Sequence, residues 1–163
     1  LPCGMVITDS KIRQTLHEKL QNNDFKRIHG HQTNPLTAAA ITASLDILQQ
    51  TETQKHLNEI YQLHESKLHW LMRKPIVRNI RFIGVMGAFD IICERHNQQQ
   101  ALQYWFQQAC MDNQLLLASH KSSIYILPPY CMSLSDLEDT YEKIDKILAS
   151  LPLHYITPCS SEE

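Results

Sequence analysis

The run Ile80–Cys93, IRFIGVMGAFDIIC, decides the fold of this chain. It holds two apolar, β-rich stretches, IRFIG and GAFDIIC, separated by Val85 and Met86 with Gly84 and Gly87 on either side. Glycine relaxes the backbone limits that a tight reversal imposes, so the pattern predicts a hairpin. Both glycines are expected to serve the turn.

Working outward, a long helix is expected before the hairpin, from about Glu52 to Arg73. Leu57, Ile60, Tyr61, Leu63, His64, Leu68 and Leu71 share one stripe of it, and Pro75 ends it. After the hairpin comes a helix over Gln98–Asn113, then LLLA (115–118) and IYIL (124–127) as strands flanking SHKSS, with Pro128 and Pro129 stopping the second. Ser133 opens an S-x-x-D cap for a last helix that turns Leu134, Leu137, Tyr141, Ile144 and Leu148 inward. LPLHYITPCSSEE closes the chain as a loose tail. Helix, two strands, helix, two strands, helix describes an α+β domain over 48–153, a small, mainly antiparallel sheet covered by helices, with 154–163 as tail.

Residues 1–47 follow another plan. Cys3–Thr8 reads as a strand, and Asp9 or Ser10 caps a helix carrying Ile12, Leu16 and Leu20. QNNDFKR breaks it. The chain opens on Leu1 within a strand-like run, which predicts the later part of something longer.

The chain has 163 residues, a formal charge of −2 and ordinary hydrophobic and charged fractions. That charge gives no electrostatic reason to expect nucleic acid or an anionic membrane, and points to a small polar ligand or another protein. Five cysteines, odd in number and without a C-x-x-C pair, suggest neither a disulfide framework nor a zinc ribbon. No apolar run reaches the roughly 18 to 20 residues of a membrane span and no signal pattern opens the chain, so a cytoplasmic protein is expected.

One loop carries chemistry. In HGHQTNPLTAAA, His29–Ala40, Asn34 is placed as helix N-cap and Pro35 at the first helical position, with the helix running Leu36–Gln50. Gly30, His31, Gln32 and Thr33 precede it, offering N–H groups, a hydroxyl and the positive end of the helix dipole, which suit a phosphate. Zinc at His29 and His31 fits less well, since two ligands without a supporting Cys or carboxylate cluster are incomplete.

HGHQTNPLTAAAITASLDIL resembles the H-G-x-S/T…G-N-P-L-x-x-A-A-A-x-A-S-L-x-x-L stretch of class III pyridoxal-phosphate aminotransferases. LPCGMVITDSKIRQTL, VRNIRFIGVMGAFDI and LLLASHKSSIYILPPYCMSLSDLEDTY resemble further segments of that family in its own order, and PPYC before a helix cap is most similar to its biotin-pathway branch. The resemblance implies the C-terminal small domain of a fold-type I PLP-dependent transferase, with 1–47 a remnant of the large PLP-binding domain. It further implies a homodimer acting on small-molecule substrates, and a cofactor lysine upstream of Leu1. In the branch, the reaction converts 8-amino-7-oxononanoate to 7,8-diaminononanoate with S-adenosylmethionine as amino donor. Carried over residue by residue, Thr33, Gln32 and His31 would meet pyridoxal 5'-phosphate across the dimer, and Gly30 the substrate. The loop is two residues shorter than the family pattern, which leaves Gln32 and Thr33 as alternatives for the phosphate contact. No catalytic residue is expected within these residues, and the segment alone is expected to be inactive.

The family's L-R-P-x-G arginine, which holds a substrate carboxylate, falls on Ala118 here, with His120 and Lys121 as nearby positive groups in what reads as a solvated turn. Other readings are therefore an amine or ω-amino-acid aminotransferase, and a non-catalytic assembly module derived from the small domain. His56, His64 and His69 do not share one helix face and read as packed or exposed. Tyr104, Trp105 and Phe106 read as core, and Asp136, Glu138, Asp139 and Glu142 as a helix start.

Overall fold

The computed structural model describes residues 7–21, 34–93 and 98–155. The chain divides into two compact units, Leu1–Thr53 and Gln54–Glu163. In the first, α1 spans Ser10–Gln21 and α2 spans Pro35–Leu48. Asp9 is the cap of α1, its Oδ1 accepting from the Ile12 amide at 2.8 Å. The expected strand over Cys3–Thr8 lies outside the described residues up to Val6, and Ile7 and Thr8 are in no strand. No residue of α2 is buried although its sequence is PLTAAAITASLDIL, and Ile12 and Leu16 of α1 are exposed as well.

The second unit is of the expected α+β class, with bounds that differ from the 48–153 expected. Helix α3 (Thr51–Leu71) begins within the first unit and continues into the second, leading to β1 (Val77–Ile83) and β2 (Met86–Ile91). Then follow α4 (Gln99–Asp112), β3 (Ala118–His120), β4 (Ser123–Ile126) and α5 (Leu134–Ala149). The strands form one antiparallel sheet in the order β1-β2-β4-β3. Ile83 pairs with Met86, so the hairpin loop is Gly84 and Val85, and Gly84 carries a φ of +53° at the first loop position, where a type II′ turn places its glycine.

Phe89 and Ile91 of β2 and Ile124 and Ile126 of β4 alternate onto one face of the sheet. They join Ile60, Leu68 and Leu71 of α3, Leu102, Phe106 and Cys110 of α4, and Leu137, Tyr141, Ile144, Ile147 and Leu148 of α5 in one core. Ser133 caps α5 as the sequence implies, its Oγ accepting from the Asp136 amide at 3.1 Å.

Four local expectations change. The strand read over Leu115–Ala118 is displaced toward the turn: only Ala118–His120 pairs, and the loop shrinks to Lys121 and Ser122. Gln103 of α4 holds that loop, accepting from the Lys121 amide at 2.8 Å and donating to the Ser119 carbonyl at 3.0 Å. Gly87 lies in β2 rather than in the turn, and its role is spatial. Tyr104 is exposed, because only Phe106 of that aromatic triplet points into the core while Trp105 packs at its margin. Finally, Leu151 is buried and Tyr155, at the end of a 3-10 turn, packs on Trp105, so the closing stretch begins docked.

Candidate functional site

Gly30, His31, Gln32 and Thr33 lie outside the described residues, and the described geometry begins at Asn34. Asn34 has an extended backbone (φ −67°, ψ 118°), its Oδ1 accepts from the Leu36 amide at 3.0 Å, and its carbonyl accepts the Ala38 amide at 3.0 Å. Pro35 fills the first helical position and has no N–H to offer. Two of the first-turn positions of α2 therefore have nothing left to give an anion. What this helix end chiefly supplies is its dipole.

The second candidate region lies on the sheet face opposite the core. Ala118 is the first residue of β3, exposed, and paired with Tyr125 of β4. Tyr125 pairs in turn with Ala88 of β2, and Ala88 with Arg81 of β1. His120 is two residues further on, opposite Ser123, and Lys121 occupies the turn with a φ of +56°. Arg81 donates through Nη2 to Asp90 Oδ1 at 2.9 Å and through Nη1 to the Asn79 carbonyl at 2.7 Å. Asp90 also accepts from Ser123 Oγ at 2.7 Å and Asn79 Nδ2 at 3.0 Å. Burial works against the charge on Asp90, yet the Ser123, Arg81 and Asn79 hydrogen bonds together hold its carboxyl below the usual range, and the Asp90 hydrogen bond raises the Arg81 guanidinium.

One polar arrangement was not legible in the sequence. His64 of α3 is fully buried, with Nδ1 2.6 Å from the Tyr141 hydroxyl of α5 and Nε2 2.9 Å from the Val85 carbonyl in the β1–β2 turn. A Cβ on Gly87 would come within 3.1 Å of that Nδ1 and of Leu68 Cδ1. His56 and His69 are packed or surface residues as expected, bonded to the carbonyls of Met132 and Glu65. Among the described residues no group of three His, Cys, Asp or Glu side chains is placed to hold a metal ion. No helix there is long and apolar enough to cross a membrane.

The arrangement recurs in known proteins. Residues 1–148 match the family model described as Aminotransferase class-III. The chain belongs to that family. Among curated class III relatives, it is 28% identical over 148 residues to the adenosylmethionine-8-amino-7-oxononanoate aminotransferase of Synechococcus elongatus, covering 91% of this chain and 34% of that protein. It is 26% identical over 156 residues to the protein of the same name from Helicobacter pylori, covering 93% of this chain and 34% of that one. The chain thus spans about a third of the length of the curated relatives it matches. Among solved structures, the PMP-bound aminotransferase from Vibrio fluvialis superposes with a TM-score of 0.72 at 18% identity, over 88% of this chain and 33% of that one. The omega-aminotransferase from Paracoccus denitrificans gives 0.71 at 17%, over 86% and 32%. These neighbours show the fold: a small antiparallel sheet covered by helices that recurs in solved transaminases.

Proposed function

We propose that these residues serve a pyridoxal-phosphate-dependent aminotransferase that acts as a homodimer on small-molecule substrates in the cytoplasm. In this reading residues 1–47 complete the large cofactor-binding domain, 48–153 form the small domain and 154–163 a tail. Thr33, flanked by Gln32 and His31, meets the cofactor phosphate of the opposite subunit, and Gly30 lies toward the substrate. The bound cofactor supplies the electron sink for amino transfer. The uncovered apolar side chains of α1 and α2 fit a stretch that is buried only in a larger assembly. The two curated relatives named above favour the conversion of 8-amino-7-oxononanoate to 7,8-diaminononanoate with S-adenosylmethionine as donor. No lysine of these residues stands in the context of the family's cofactor lysine, so in this reading the segment alone forms no covalent adduct with pyridoxal phosphate at one defined lysine and is inactive.

The observation that carries this reading is the capped start of α2. Because Pro35 lacks an N–H and Asn34 Oδ1 occupies the Leu36 amide, the helix start offers an anion few directed donors of its own, and in this reading the hydroxyl of Thr33, next to the cap in sequence, supplies one. A charge-assisted bond of this kind contributes about 1.5 to 3 kcal/mol. Thr33→Ala in the full-length enzyme should therefore weaken cofactor retention roughly ten- to a hundredfold, read as loss of cofactor absorbance on dialysis. Retention unchanged by Thr33→Ala but lowered by Gln32→Ala would assign the phosphate to Gln32. Alanine at position 118 favours a second reading, in which the donor is an amine or ω-amino acid.

A further inference from the structure

The four-stranded sheet ends on β1 at one side and on β3 at the other. An edge strand presents backbone N–H and C=O groups that another strand can take up, so a monomeric edge needs something that prevents it. At β1 the device lies in the strand itself. Its register with β2 is interrupted between Arg78 and Arg81, Asn79 takes a φ of +50° there, and Arg81 is bound back onto Asp90 and the Asn79 carbonyl. A bulge of this kind twists the edge away from an incoming strand, and the two arginines place charge beside it.

Within β3 only its length of three residues limits a partner. Its pairing with β4 is regular from Ala118 to His120, it contains no proline, and Lys121 lies in the turn beyond the last pair. The chain leading into it, Leu115–Leu117, is apolar, with Leu116 95% exposed. The edge is nevertheless occupied, by a side chain from another element. Gln103 of α4, half-buried, donates from Nε2 to the Ser119 carbonyl at 3.0 Å and accepts at Oε1 from the Lys121 amide at 2.8 Å. One carboxamide thus supplies both the donor and the acceptor that a strand added at this edge would supply. Gln107, one helical turn on, donates to Ser119 Oγ at 3.1 Å and so holds the side chain of that residue rather than its backbone.

We infer that Gln103 guards the β3 edge: its carboxamide stands in for a fifth strand and keeps a second copy of this chain from adding there. A second copy fits because β3 meeting β3 across a two-fold axis is self-complementary, pairing the same short edge with itself in antiparallel sense. Each copy also brings the same apolar approach at Leu116. The contact belongs to the fold and does not depend on the aminotransferase reading.

The test uses the full-length enzyme, with the mass of the wild-type assembly in light scattering as reference. Gln103→Ala should at least double that mass at high protein concentration, reversibly on dilution. Amide exchange over 118–121, followed by mass spectrometry, should then be slower in the concentrated than in the dilute sample, a change that mere loosening of the hairpin would not produce. Gln107→Ala should keep the wild-type mass. Ser119→Pro added to Gln103→Ala removes an N–H from the same edge and should restore the wild-type mass. A Gln103→Ala enzyme that stays at the wild-type mass at every concentration overturns the inference, as does association without protection of 118–121. Equal association in Gln107→Ala overturns it too, by assigning the effect to a loosened hairpin. If Gln103→Ala does not fold, Gln103→Met, of similar length but without donor or acceptor, takes its place with the same expected rise in mass, and an unchanged mass there overturns the inference.

Discussion

The Tyr141 hydroxyl meets Nδ1 of His64 at 2.6 Å inside the core, and the opposite ring nitrogen is 2.9 Å from the Val85 carbonyl. A carbonyl only accepts, so Nε2 carries the proton, Nδ1 accepts from the phenol, and the imidazole is neutral. One side chain thereby joins α3, α5 and the β1–β2 turn. Tyr141→Phe leaves a buried acceptor without a donor and should cost about 1 to 3 kcal/mol. Chemical denaturation of the chain measures this directly, and an unchanged midpoint would show that the pair contributes nothing.

The same pair predicts a pH dependence. Burial lowers the His64 pKa from 6.5, partly countered by the Val85 carbonyl. A folded-state pKa below the unfolded one means that the unfolded chain binds the proton more readily. Stability is then fully present above about pH 6.5 and falls as the solution is acidified through the folded-state pKa. Asp90 adds a second loss at lower pH, since its carboxyl is held below the usual range in the fold. Denaturation midpoints between pH 8 and pH 5 should decline in the wild-type chain, and His64→Gln should flatten that slope even if it lowers stability throughout.

Gly84 and Gly87 should respond differently to alanine. At Gly84 an added Cβ meets nothing within 4 Å, but the φ of +53° strains any residue with a side chain, at a cost of about 1 to 2 kcal/mol. At Gly87 the cost is steric, because His64 Nδ1 and Leu68 Cδ1 both stand 3.1 Å from the new methyl. Overpacking of that kind costs about 1 to 3 kcal/mol. Pairing each with Tyr141→Phe separates the two mechanisms: Gly87→Ala should be non-additive with it, whereas Gly84→Ala should add.

Two thiols should differ in reactivity. Cys131 is exposed beside Tyr130, while Cys110 is buried in the core and burial pushes its thiol up to about 11. Only thiolate reacts, so iodoacetamide at neutral pH should modify Cys131 in the folded chain and reach Cys110 only on unfolding. Peptide mass spectrometry resolves the order. Early labelling of Cys110 would contradict the buried placement of α4.

Much of the second unit was legible because local chemistry determines it. The glycine-broken apolar run gives β1 and β2, and the Ser133 cap gives the start of α5. Features that depend on distant neighbours were not. Leu115 and Leu117 pack against the core and Leu116 does not, a strand-like alternation, yet pairing starts only at Ala118 because Gln103 pins the turn beyond it. Gly87 looks like a turn glycine until His64 and Tyr141 are seen beside it. For the loop before Asn34, sequence supplies the residue types and the helix cap, and the loop itself lies outside the described residues.

The strand order has a consequence for how the chain acquires its shape. Each hairpin closes over a two-residue loop, but β2 and β4 join at the centre of the sheet with all of α4 between them in sequence. Closing that long excursion costs entropy before the Phe89 and Ile124 contact returns anything. Registration of the two hairpins at this seam, with α4 already laid across it, is therefore the step expected to set the folding rate. Trimming Phe89 or Ile124 should slow folding, whereas altering the Gly84 turn should mainly hasten unfolding.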